Sequence, residues 1–343
     1  MTVWEALEAK YDKAIADAFE RAVADLRAGA DLGRILTALQ RGDLAEAIAA
    51  MNLDEAAMNR LVVEIETAFR EAGDLAASEM PPLTDQSGAR VIFRFNVRNP
   101  AAERWLREHS SRLVTDIMED QRVAIRAALE RGMARGDNPR TTALDIVGRL
   151  NKVSKQREGG IIGLTSQQEQ FVSNARYELE QGGDANYFKR ALRDKRYDRT
   201  IKKAMDAGEP ISPETITAAI RSYKNRLLKY RADAIGRSES LTALRKAEND
   251  AYRQAVEDGK VDQDAIIKDW DSTGDRKVRN SHVVLDGQTR RFMEPFVSPT
   301  GARMQFPGDT SLGAPASEII QCRCRARYRI DFLAAAFGNR EPA

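Results

Sequence analysis

The chain has 343 residues, 42% of them apolar and 31% charged, enough to build real cores and to exclude wholesale disorder. No apolar run approaches the ~20 residues of a membrane span, and the near-neutral net charge of +2 conceals an asymmetry. Residues 1–80 hold 16 acids against 8 bases and the remainder 36 against 46, so an acidic head on a basic body is expected to face different partners with its different parts.

Trp4, Leu7, Tyr11, Ile15, Phe19, Val23 and Leu26 recur every three or four residues, which predicts an amphipathic helix. This start lacks the basic residues and unbroken apolar stretch of a signal peptide, so use in a cytoplasm is expected, with no membrane anchor. A second helix is predicted from about Leu32 and a third from about Asp54 to Ala77, with Leu61, Ile65, Phe69 and Leu75 as its stripe. MPPLTDQSG (80–88) then marks a boundary, because paired prolines, glycine and small polar residues break helical periodicity.

VIFRFNV (91–97) alternates as a short strand or extended arm. A long helix follows, with Pro100 in its first turn and Gly136 at its end, and Asn138-Pro139 starts the next. TSQQ (165–168) has the form of a capping box. Ser212-Pro213-Glu214 opens the last long helix, which runs toward Gly259 with a bend expected at Gly236.

From Trp270 the helical period stops, and short apolar pieces alternate with Gly, Pro, Asp and Ser. A small α+β module is expected there, a helix packed on a few short strands. A short helix, DFLAAAF (331–337), and a tail follow it. Cys322 and Cys324 are separated by one residue, too close for an ordinary disulfide and consistent with a reducing compartment.

Several motifs in this last third stand together: Arg237-Ser238-Glu239, read as a helix start; then WDSTGDRKVRNSHVVLDGQ, with Trp270, Asp275, Arg276, Arg279, His282, Leu285, Asp286 and Gly287; a proline-framed loop; and CRC at 322–324. In this order the set resembles the phage Mu F-like domain of minor head morphogenesis proteins, over roughly 110 residues. Weaker likeness extends upstream, to FNV…NPAAERWL and GLTSQQEQFVSNARYELE (163–180). The resemblance implies a structural protein at low copy in the procapsid, bound to the portal and serving head assembly, DNA packaging or delivery. Some relatives carry fused toxin domains beyond this point, and little chain is left here for one.

The residues themselves leave alternatives open. In a strand over 321–330, Cys322, Cys324, Ala326, Tyr328 and Ile330 would share one face, and Arg323, Arg325, Arg327 and Arg329 the other. The arginine row either meets water or grips a polyanion, DNA or an acidic portal surface. The thiols either pack as small apolar groups or bind zinc, with His282 as third ligand and Asp275, Asp286 or Asp309 as fourth. Such a zinc would be structural.

Residues 275–287 likewise read as a structural hub, formed by Trp270, Asp275, Arg279, Asp286 and Gly287, or as a site with His282 as general base. Arg237-Ser238-Glu239 invites comparison with ADP-ribosyltransferase motifs but is equally a helix-face ion pair. His109, in a helix among charged neighbours, reads as a surface residue. The DNA-binding candidates are Lys189, Arg190, Arg193, Lys195, Arg196, Arg199, Lys202 and Lys203, with RSYKNRLLKYR (221–231) adding Tyr223 and Tyr230 between bases. Basic helices attract phosphate, and they are also common as solvated surface.

The expected fold is mainly α with a small α+β C-terminal module, in three regions: an acidic helical 1–80, a basic helical 89–232 and a Mu F-like 233–343. The expected role is a non-enzymatic minor head protein inside the virion, near the portal. Its expected partners are the portal, scaffold or major capsid protein and, non-specifically, DNA. The alternative is a DNA-processing or nucleotide-transferring enzyme built on His282 and Asp286.

Overall fold

The structure, a computed structural model, describes residues 2–84, 89–183 and 185–331. It is mainly α, 62% helical, with short strands concentrated near the C-terminus. The helices are α1 (Val3–Gly29), α2 (Leu32–Gln40), α3 (Leu44–Ala49), α4 (Asn59–Glu79), α5 (Pro100–Ala134), α6 (Pro139–Val147), α7 (Ser166–Glu180), α8 (Ala185–Lys189), α9 (Asp198–Ala207), α10 (Pro213–Glu257), α11 (Asn280–Leu285) and α12 (Ala316–Ile319). None of them is long and apolar enough to cross a membrane.

The starts of these helices follow local chemistry visible in the sequence. Asp31, Asp43 and Asn138 each accept a backbone N–H at an N-terminus, and Thr165 with Gln168 closes the expected capping box before α7. These side chains satisfy donors that the first helical turn leaves without partners. Residues DFLAAAF, apart from Asp331, lie outside the described residues.

Compactness divides the chain into two units, each assembled from separate segments. One combines residues 17–61 with 110–233. Its core includes Phe19, Val23, Ile35, Met58, Ile125, Leu129, Ile146, Leu164 and Tyr187. Two small antiparallel strands, β3 (Arg149–Leu150) and β4 (Arg157–Glu158), precede a buried loop. That loop is held by Arg27, which donates to the carbonyls of Ile162 (2.6 Å) and Gly160 (3.2 Å), and by Arg231, which donates to that of Gly163 (3.1 Å). Burial lowers both guanidinium pKa values to about 10, and the carbonyl partners compensate the lost hydration.

The other unit combines residues 1–16, 62–109 and 234–343. Its helical part packs Trp4, Tyr11, Phe69, Phe95 and Leu244, with Phe69 5.7 Å from Phe95 and 5.4 Å from Trp105 between ring centroids. In place of a strand over 91–97, only β2 (Arg90–Val91) pairs, with β1 (Leu83–Thr84). Beyond it the chain turns Phe93 and Phe95 inward and ties Asn96 to Gln254 of α10, N to Oε1 at 2.8 Å. Gly236 lies within α10, where an added Cβ would stand 2.3 Å from the Asp12 carbonyl and 2.9 Å from the Ala16 Cβ. Its missing side chain lets two backbones approach.

The C-terminal module belongs to this unit. Its central strand β5 (Ile266–Asp271) lies between β6 (Thr289–Arg291) and β9 (Arg325–Ile330), antiparallel to both. A separate hairpin joins β7 (Phe296–Val297) to β8 (Arg303–Met304). Strand β5 alternates strictly, burying Ile266, Lys268 and Trp270 and turning Ile267, Asp269 and Asp271 outward. The expected strand over 321–330 begins only at Arg325. Upstream of it the Cys322 N–H bonds the Ile319 carbonyl and the Cys322 carbonyl accepts Arg245 Nη2, so that backbone is committed outside the ladder.

Candidate metal centre

Three residues remote in sequence meet inside the module. His282 lies on α11, whose one inward face carries His282 and Leu285 while Val283 and Val284 point outward. The turn after α12 passes through Gln321 at φ +54° and delivers Cys322 and Cys324 to the same place. The three ligand atoms lie within 4.8 Å of one another. His282 is 1% exposed and each cysteine 2%.

The imidazole is held from both sides. Nε2 lies 2.8 Å from Glu318 Oε2, and Nδ1 faces the sulfurs of Cys322 at 3.4 Å and Cys324 at 3.5 Å. Glu318, itself buried, accepts from Ser281 (3.0 Å) and Thr300 (2.7 Å). Trp270 meets the imidazole edge-on at 5.1 Å and Phe296 at 5.2 Å, and Leu285, Ala302, Met304 and Ala314 complete an apolar wall. The hydrogen bond shared with Cys324 draws the Cys322 thiol well below the usual range, and the same sharing pushes Cys324 up.

The expected fourth ligand is elsewhere. Asp309 accepts from the Gln305 and Ser311 backbones at 2.8 and 2.9 Å, and it is absent from the cluster. Asp275 holds Arg323 through two contacts of 2.5 Å, and Asp286 accepts the Ser272 N–H at 2.7 Å. Asp275 and Asp286 thus have these other partners, and the carboxylate that meets His282 is Glu318. Arg279 donates to the Ile320 carbonyl. Gly287, at φ +73°, turns the chain so that its N–H reaches the Trp270 carbonyl at 2.8 Å, a backbone region where a Cβ is strained.

The family model described as Phage Mu protein F like protein matches residues 123–327. The chain belongs to this family. The match takes in the C-terminal third of α5, the helices after it and the module with its His–Cys cluster. No curated protein and no solved structure matches the chain. This Mu F-like chain is thus a phage head-related protein.

In the Mu F-like module the arginine row faces carboxylates of the chain itself. Arg325 bonds Glu248 at 2.6 Å, Arg327 bonds Asp271 at 2.8 Å and Arg329 bonds Asp269 at 3.0 Å. The antiparallel register sets Asp269 and Asp271 of β5 beside these arginines. Arg237-Ser238-Glu239 sits within α10, not at a helix start. Arg237 pairs with Asp12, Ser238 accepts the Gln321 N–H, and Glu239 takes His109 at 2.6 Å. His109 is therefore a partner of that motif, stacked on Trp105 at 4.7 Å, and not a plain surface residue.

The basic run 187–203 is not one helix but α8, a short 3-10 turn and α9. Arg190 pairs with Glu178, Arg193 with Asp198 and Arg196 with Asp194, while Lys189 bonds Asn186. Lys195, Arg199, Lys202 and Lys203 are exposed. In 221–231, Tyr223 is buried, Tyr230 exposed, and Lys224 buried against the Asp145 carbonyl at 3.0 Å. Burial lowers the Lys224 ammonium to about 8.

Sequence reasoning missed three residues of the module. Glu318 and Arg245 carry no local signal, since each acts on residues far along the chain. Lys268 had one: the alternation IIKDWD places it on the buried face with Trp270. Its ammonium bonds the Phe292 carbonyl (2.7 Å), the Gln305 carbonyl (2.8 Å) and Gln305 Oε1 (2.7 Å). Burial pulls its pKa down to about 7.

Proposed function

We propose that this chain is a structural minor head protein of a tailed bacteriophage, associating with the portal or procapsid interior and aiding head assembly, DNA packaging or DNA delivery. The observation that carries the reading is the family match across 123–327, which takes in the helices from the end of α5 onward together with the C-terminal module. The chemistry of the module fits a binding role. Its histidine is buried with both ring nitrogens occupied, and the four arginines of 323–329 are each paired with a carboxylate of the chain. Recognition of the portal, scaffold or major capsid protein then falls to apolar helix faces and charge complementarity. The exposed Lys195, Arg199, Lys202 and Lys203 offer a non-specific contact to packaged DNA.

Mass spectrometry of purified heads and virions tests this, alongside capture of the purified portal protein by the full chain. The expected result is a low-copy head component that retains the portal. Absence of the polypeptide from assembled heads would overturn the reading. So would a nuclease or nucleotidyl-transfer activity of the purified chain that disappears in His282→Ala.

A further inference from the structure

We propose that His282 Nδ1 and the sulfurs of Cys322 and Cys324 bind one structural zinc ion. Glu318 orients the imidazole from its far side, and a water or other small ligand fills the fourth position. Zinc takes thiolate and imidazole at about 2.3 and 2.0–2.1 Å in a tetrahedron, so two such ligand atoms stand about 3.5 Å apart. The two sulfurs stand 3.4 and 3.5 Å from Nδ1.

The near equality of those distances matters. An imidazole nitrogen has one in-plane lone pair and accepts one well-directed S–H hydrogen bond. Packed thiols would therefore favour one sulfur over the other. Three ligand atoms within 4.8 Å of one another are satisfied together by a cation placed among them.

The outer contact agrees. A metal-bound histidine commonly gives its other N–H to a carboxylate, which fixes tautomer and ring plane. Glu318 Oε2 is 2.8 Å from Nε2, and Ser281 and Thr300 hold that carboxylate in turn. With the proton on Nε2, the Nδ1 lone pair is directed at the two sulfurs.

The donor set selects the metal class. Two thiolates and an imidazole suit zinc and not the hard, oxygen-seeking magnesium or calcium. Binding releases the two thiol protons to solvent, and the thiolates then neutralise the dication. A buried apolar site admits a neutral cluster far more readily than a bare charge. The C-x-C pair sits on the irregular segment just ahead of β9, and that segment brings both sulfurs to Nδ1.

The location gives the ion a structural role. It would join α11 to the segment entering β9 in a module whose β7–β8 hairpin has two-residue strands. Small loop-rich units with little core draw stability from such cross-links.

The test uses the full chain, expressed with zinc and desalted. Elemental analysis is expected to find about one zinc per chain. Replacement by Co(II) is expected to produce sulfur-to-metal charge-transfer absorption and the intense visible bands of a tetrahedral centre. Chelation is expected to lower the melting temperature reversibly. The Cys322→Ser/Cys324→Ser variant is expected to lose the metal, and Glu318→Gln to keep the site with roughly 10–100-fold weaker affinity.

The Co(II) spectrum of the unaltered protein reports sulfur ligation directly, so the test stands even where a cysteine variant fails to fold. A chain that takes up no Co(II) with a sulfur band would overturn the proposal. Zinc content unchanged by the double substitution, or the two cysteines recovered as a disulfide from reducing cytoplasm, would overturn it as well.

Discussion

Arg325 leaves β9 and closes on Glu248 of α10 with both ends of its guanidinium, Nη2 to Oε1 at 2.6 Å and Nε to Oε2 at 3.3 Å. Its guanidinium carbon lies over the Trp4 ring, 3.9 Å from the centroid. One side chain thus ties the C-terminal sheet to the first helix and to α10. Replacing one member of a largely buried ion pair leaves the other charge without its partner. Arg325→Ala is expected to cost about 3 kcal/mol, given that Arg325 keeps some solvent contact. Urea denaturation of the two proteins measures the difference.

The same pair has a pH signature. Burial pushes the Glu248 carboxyl up to about 7, with Arg325 opposing the rise. Between the unfolded value of about 4.3 and that folded value, the native chain binds a proton that the unfolded chain has released. Glu248 therefore makes stability fall as pH rises through this window. Melting temperatures of wild type and Glu248→Gln, compared at pH 5 and pH 8, are expected to show a smaller decline in the variant. Parallel profiles would refute the assignment.

Asp194 is the anchor of the basic run. It is fully buried and holds Arg196, the Ser222 hydroxyl at 2.7 Å and Arg226 at 3.3 Å. The Arg196 hydrogen bond keeps its carboxyl far below the ordinary range. Its contribution is therefore present above about pH 3.9 and lost as pH falls through the depressed folded value. Asp194→Asn is expected to lower stability by about 2 kcal/mol near neutrality, because donors once matched to a charge face a neutral amide. A thermal scan at pH 7 and at pH 3 checks it, with the gap narrowing in acid.

Only part of the basic run is available to a polyanion. Lys195, Arg199, Lys202 and Lys203 are exposed, whereas Arg190 and Arg193 are half-buried on carboxylates of the chain and Arg196, though exposed, is paired with Asp194. Changing the four exposed residues to Ala is expected to flatten the dependence of log affinity for duplex DNA on log salt by up to about 3–4, at ~0.9 per phosphate contact. Fluorescence anisotropy over a salt series measures the slope. An unchanged slope would show that phosphate is not held there.

Much of the helical framework was legible in the sequence, because it rests on information within a few residues. The 3.6 period of Trp4 to Leu26, Pro100, Asn138-Pro139, the Thr165–Gln168 box and Ser212-Pro213 all act locally. The thiols are buried as the alternation with the arginines suggested, although the strand itself begins only at Arg325. Backbone periodicity and capping depend on nearest neighbours along the chain.

What the arginines bind, and what stands behind the histidine, depended on the tertiary structure alone. β9 meets β5 across more than fifty residues, and only that register brings Asp269 and Asp271 to Arg329 and Arg327. Glu318 reaches His282, and Arg245 the Cys322 carbonyl, by folding that no local pattern encodes. A charge in a sequence has a sign but no partner. Its partner is decided by packing, because the strength of an ion pair varies with separation and burial, and both are properties of the folded chain.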